Sequence, residues 1–162
     1  MAKEIYDLNR FVVAQGEGVY ESAMKEIKGG KKRSHWMWYI FPQLKQLGHS
    51  SNSKFYGIED IDEAKEYLAH PLLGQRLREI SQVLCELTGN NAVEIFGDID
   101  AIKLISSMTL FDAVSPNDIF HKVLDKYNDG EKDIKTIDIL LKSLIQIDID
   151  ESKKQLVVKH RQ

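Results

Sequence analysis

Between residues 73 and 87, apolar side chains recur at Leu73, Leu77, Ile80, Leu84 and Leu87, in steps of four, three, four and three. That rhythm follows one face of a 3.6-residue helix, and a strand of period two cannot keep it. Pro71 suits the first helical position, and Gly89-Asn90 closes the segment. A helix with one apolar stripe must bury that stripe against other elements, so its neighbours decide the fold class. They repeat the pattern. Leu8, Phe11, Val12 and Gln15 predict a short helix with Asp7 as N-cap, and Tyr20, Ala23, Met24 and Ile27 predict a second, stopped at Gly29-Gly30. Ala64, Tyr67 and Leu68 follow a start at Asp60 or Asp62 and end before His70-Pro71. A helix from Asp98 or Asp100 carries Ile102, Leu104, Ile105, Met108 and Phe111. After Ser115-Pro116-Asn117-Asp118, read as a cap followed by proline at the first helical position, come Phe120, Val123, Leu124 and Tyr127, broken at Asn128-Asp129-Gly130. Ile134, Ile137, Leu141, Leu144 and Ile145 give the last clear helix. The expectation is a mainly α, compact single-domain multi-helix bundle over residues 1–147, with residues 148–162 a loosely held tail.

One stretch breaks the pattern. Residues 34–56 hold the run Trp36, Met37, Trp38, Tyr39, Ile40 and Phe41, followed by a Gly/Ser/Asn-rich segment. The run is short enough for a buried strand or a helical turn, and periodicity does not choose between them. The bundle therefore carries an aromatic-rich irregular segment.

A length of 162 residues fits one sizeable core. No apolar run reaches transmembrane length, and the N-terminal stretch lacks the apolar centre of a signal peptide, so a cytoplasmic protein is expected. One cysteine, Cys85, excludes a disulfide framework or a thiolate zinc cluster. At the edge of its helix's buried face it reads as a small hydrophobe. Net charge is −3, against the basic balance of a dedicated duplex DNA binder. The first third is nonetheless basic, through Lys25, Lys28, Lys31, Lys32 and Arg33. Such a patch attracts anions, or is simply a solvated helix end.

Several motifs fail. Gly30-Lys31 is followed by Lys32 and lacks the glycine a phosphate loop needs five residues upstream. The five histidines never fall four apart on a helix, so no metal site and no cofactor is expected. The acidic run Asp125 to Asp133 misses the calcium-loop spacing.

Two segments remain that could carry chemistry. Projected on a helix, Lys103, Ser106 and Ser107 share a sector opposite Leu104 and Met108, and Thr109 falls at the edge of the apolar side. They read as an ammonium beside hydroxyls able to hold a phosphate or carboxylate, or as a plain exposed face whose serines bond carbonyls one turn back. Spacing alone favours the plain face. Ser34-His35-Trp36-Met37-Trp38-Tyr39 offers a titratable imidazole beside rings that can stack a flat ligand, or it is core.

The strings SHWMWYIFPQL (34–44), HPLLGQRL (70–77) and FGDIDAIKLISSMTLF (96–111), with Arg10, Phe11, Val12, Ala14 and Gln15, resemble the bacterial domain-of-unknown-function family numbered eighteen-ten. The resemblance runs from about residue 7 to 145. It implies a mainly α-helical single domain and carries over no catalytic residue. Some members bear the label calpastatin, but the dense helical stripes here argue against a disordered repetitive inhibitor.

The resembling strings contain Arg10, Gln15, Ser34, His35, Gln43, His70, Arg76, Lys103, Ser106, Ser107 and Thr109. The expectation is that several converge on one cleft beside the aromatic segment, suited to a small anionic ligand such as a nucleotide or phosphorylated metabolite. Lys103 with Arg10 or Arg76 would bind the anion, Ser106 and Ser107 would hydrogen-bond it, and Trp36 or Trp38 would stack. Any turnover would use His35 as general acid or base. The alternative is a non-catalytic interaction module, which requires Trp36, Trp38 or Tyr39 to form an exposed patch. A weaker third reading is single-stranded nucleic-acid binding by residues 25–39.

Overall fold

The computed structural model describes the backbone of residues 6–161 and side chains through residue 156. Among the described residues ten α-helices follow in order: α1 Asn9–Ala14, α2 Val19–Lys28, α3 Met37–Ile40, α4 Ser51–Tyr56, α5 Ile61–Ala69, α6 Leu73–Glu86, α7 Ala92–Phe96, α8 Asp98–Val114, α9 Ile119–Asn128 and α10 Ile134–Arg161. A 3-10 turn at Lys45–Leu47 lies between α3 and α4. No strand occurs among the described residues. A single parallel bridge joins Leu44 to Ile58.

The centre of the fold is α8, against which α5, α7, α9 and α10 all pack, while α6 lies across α5, α9 and α2. The stripe on α6 does what its spacing requires: Leu73, Leu77, Ile80 and Leu84 are buried. Packing on several sides changes α8. Ser106, Ser107, Thr109 and Asp112 are buried along with Leu104, Met108 and Phe111, so the plain exposed serine face does not exist. The residues of α8 that reach solvent include Ile99 at 71% and Ile102 at 65% exposure.

Several local expectations change. The aromatic run is one helical turn, α3, preceded by the buried Trp36. Asp7 does not cap α1; Leu8 occupies that position and offers no side-chain bond. Pro71 lies before α6 and not at its first position. His70 Nδ1 accepts from the backbone N–H groups of Leu72 (3.1 Å) and Leu73 (3.2 Å), closing the turn instead. Likewise Asp118, not Ser115, caps α9, and the Ser115 hydroxyl donates to Asp118. The last helix continues unbroken to Arg161. From Leu141 to Leu156 each of its side chains is exposed.

Candidate functional site

Glu26 of α2 fixes the segment that leads into α3. Its Oε1 accepts from the backbone N–H of Arg33 (2.6 Å) and Ser34 (2.9 Å) and from Trp36 Nε1 (3.0 Å), and its Oε2 accepts from Ser34 Oγ (2.8 Å). Burial works against this carboxylate, but the four donors outweigh it and bring its pKa down to about 2. Ser34 and Trp36 are thereby committed to holding the loop, and Trp36 is 1% exposed.

The loop delivers Trp38 to the first turns of α8. Lys103 Nζ sits 3.9 Å from the Trp38 ring centroid, a cation–π contact. The same ammonium pairs with Asp100 at 3.1 Å, and Lys32 reaches Asp100 at 2.9 Å. Burial acts to raise the Asp100 carboxyl, yet these two cations hold it below the usual range.

Two hollows flank the Trp38–Lys103 pair. The larger, about 410 Å³, opens between the 43–50 stretch and the faces of α8 and α10, with Trp38, Leu47, Ile99 and Ile102 as apolar walls. Its polar lining includes Gln43, His49, Ser106 and Lys135. The smaller, about 230 Å³, holds His35 with Lys32, Asn52 and Asp100, and shares Trp38 and Lys103 with the first. A third depression of about 480 Å³, lined by Asn90, Asn91, Val93, Tyr127 and Asn128, shares Ile102 and Asp133 with the larger hollow.

Gln43 is the unusual member. Its backbone is pinned: its C=O accepts from Ile58 N–H at 2.9 Å, and Lys45 N–H donates to Ile58 C=O at 2.9 Å. Gly48 lets the following loop close over it, because a Cβ there would stand 2.5 Å from Ser53 Cβ. The residue is 8% exposed. Its amide makes no hydrogen bond among the described residues, and neither amide atom is sealed from solvent, so what access it has is from the cleft it lines. Ser106 Oγ donates to Ile102 C=O at 3.1 Å and keeps lone pairs free to accept. Ser107 Oγ is sealed and unpartnered among the described residues, and lines neither hollow.

The remaining sequence candidates lie elsewhere. Arg10 pairs with Glu63 at 2.8 Å and donates to the carbonyls of Phe55 (2.8 Å) and Gly57 (3.0 Å). Gln15 Nε2 donates to Tyr39 C=O (2.8 Å) and Tyr67 Oη (3.2 Å), while its Oε1 accepts from Arg76 at 3.3 Å. Arg76 also covers the Tyr20 ring at 4.6 Å. These residues brace α1 against α4, α5 and α6 and line neither hollow. Thr109 Oγ1 accepts from Asp133 N–H at 2.9 Å and so positions the start of α10. The structure thus gathers Trp38, Gln43, Lys103 and Ser106 at one cleft, with His35 next door. Sequence reasoning missed Glu26, Asp100 and Lys135; their acidic or basic character was visible, but their partners are remote or in loops.

No helix among the described residues is long and apolar enough to cross a membrane, and no group of three metal-ligating side chains is found among them. Cys85 is half-buried, and burial pushes its thiol up despite Lys126 and Lys122 nearby. No curated protein matches the chain. A solved crystal structure, that of the conserved hypothetical protein Rv1873 from Mycobacterium tuberculosis, is similar at 45% identity and a TM-score of 0.81, covering 84% of this chain and 97% of that one. The profile of the family described as "Protein of unknown function (DUF1810)" matches residues 5–140, and the chain belongs to that family.

Proposed function

We propose that the protein binds a small anionic ligand, a nucleotide or phosphorylated metabolite, in the cleft between the 43–50 stretch and α8. The observation that carries this reading is Gln43. Its amide makes no hydrogen bond to the protein among the described residues and is not sealed from solvent, so in the cleft it lines both its donor and its acceptor are available to a ligand. Lys103 and Lys135 supply cationic charge near it, and Ser106 supplies a hydroxyl. The volume lies within the ~300–1,000 Å³ range of ligand pockets. If the ligand is turned over, His35, exposed in the adjoining hollow, is the side chain available to move a proton.

A thermal-shift screen against nucleotides and phosphorylated metabolites tests the proposal. A ligand at 100 times its Kd stabilises by about 2.7 kcal/mol. The stabilisation should shrink in Lys103→Ala. A hit whose effect is untouched by that change binds elsewhere and defeats the reading.

A second reading, a non-catalytic interaction surface, is favoured by Trp38, half-buried, next to the exposed Ile99 and Ile102. Trp36 takes no part, being core. On this reading Ile99→Ser with Ile102→Ser abolishes binding of a protein partner, and Lys135→Ala leaves it in place.

A further inference from the structure

Resting on that reading of the cleft, we infer that its ligand is a nucleoside monophosphate whose base is read by Gln43. A primary amide presents one donor and one acceptor side by side in a plane. A base edge that sets an acceptor beside a donor, such as the N7 and N6 amine of adenine, complements both at once. A bare phosphate or carboxylate uses only the donor and leaves Oε1 unpaired. The cleft does not offer Gln43 such a complement from the protein itself: among the described residues its amide has no partner, though the residue is 8% exposed.

The surroundings suit a flat ring with one charged group. Leu47, Ile99 and Ile102 provide apolar contact, and Trp38 provides an aromatic one. The charge available is small. Lys103 is already shared with Asp100 and the Trp38 ring. Asp133 also lines the cleft, with its carboxylate accepting from Thr136 N–H at 3.0 Å. Lys135 is the exposed cation of the lining that pairs with no carboxylate among the described residues. That supply matches a single phosphate better than a triphosphate.

Calorimetric titration of the full chain with the four common nucleoside monophosphates, ribose 5-phosphate and inorganic phosphate decides the matter. At least one monophosphate should bind tenfold or more tighter than ribose 5-phosphate, about 1.4 kcal/mol. Gln43→Met should erase that preference, so that on the variant every monophosphate binds within about twofold of ribose 5-phosphate, whatever the variant's own affinity for the latter. If every nucleotide binds no better than ribose 5-phosphate, base reading by Gln43 is wrong and the anion cleft stands. If none of the probes binds, this inference and the anion-cleft reading both fall. Selectivity on the unmodified chain decides the inference even if Gln43→Met does not fold.

Discussion

Removing the carboxylate of Glu26 should loosen the segment that carries His35 and Trp38, and the cost follows from its four hydrogen bonds. In Glu26→Ala the Trp36 indole N–H remains buried and loses its acceptor, a penalty of about 1–3 kcal/mol. The three donors from Arg33 and Ser34 are exposed and recover water, adding little more. The expected loss is about 3 kcal/mol. Glu26→Gln keeps the acceptor at Oε1 for the Arg33, Ser34 and Trp36 N–H groups, removes the charge, and replaces Oε2 by an NH2 group toward which the exposed Ser34 hydroxyl must turn from donating to accepting. The drop in pKa from 4.5 to about 2, discounted because the group is only half-buried and screened by solvent, leaves about 1 kcal/mol for that charge. Because the folded-state pKa is the lower one, this share is fully present above about pH 4.5 and is lost as pH falls toward 2. Urea denaturation of the three proteins between pH 7 and pH 2.5, followed by tryptophan fluorescence, measures it. The wild type and Glu26→Gln should differ at pH 7 and converge in acid. A gap of constant size across that range, or an Ala variant as stable as wild type, would refute the role given to this carboxylate.

Arg10→Met should cost about 3–5 kcal/mol in chemical denaturation, because Glu63, 2% exposed, is left as a buried unpaired carboxylate; ligand stabilisation should persist in whatever folds, since Arg10 lies outside the cleft. Gly74→Ala brings a methyl to 1.9 Å from the Leu68 carbonyl oxygen where α5 meets α6; a loss of about 1–3 kcal/mol is expected on thermal unfolding. Truncation after Ile147 removes side chains that are exposed as far as Leu156, and the stability of the remaining chain should change by no more than about 0.5 kcal/mol by urea denaturation.

The helical architecture was legible because period is a local property. The α6 stripe, the stop at Gly29-Gly30 and the break at Asp129-Gly130 all came from residues within a turn or two of each other. Helix starts were harder. Pro71 and Pro116 both sit ahead of their helices, because His70 and Asp118 close or cap the turn that each proline enters. On α8 the wheel misled, because a wheel supposes one wet face and α8 is surrounded by α5, α7, α9 and α10. Ser106 and Ser107 went inside while Ile99 and Ile102 faced out. The candidate site was legible only in part. Lys103, Ser106 and Trp38 were named from local pattern and family strings, but the isolation of Gln43 depends on a backbone bridge between Leu44 and Ile58 that no local pattern encodes. Arg10, Gln15 and Arg76 carry the same polar chemistry and are spent on bracing helices. Residue type alone does not separate these two uses.

Chemical-shift mapping by two-dimensional 15N NMR during titration with a nucleoside monophosphate tests the cleft most directly. The Gln43 side-chain amide, the Trp38 indole and the backbone signals around Lys103 and Ser106 should move together and saturate at one stoichiometric equivalent. Shifts confined to the exposed lysines of α2 and the following loop, with the Gln43 amide unmoved at saturation, would contradict the account.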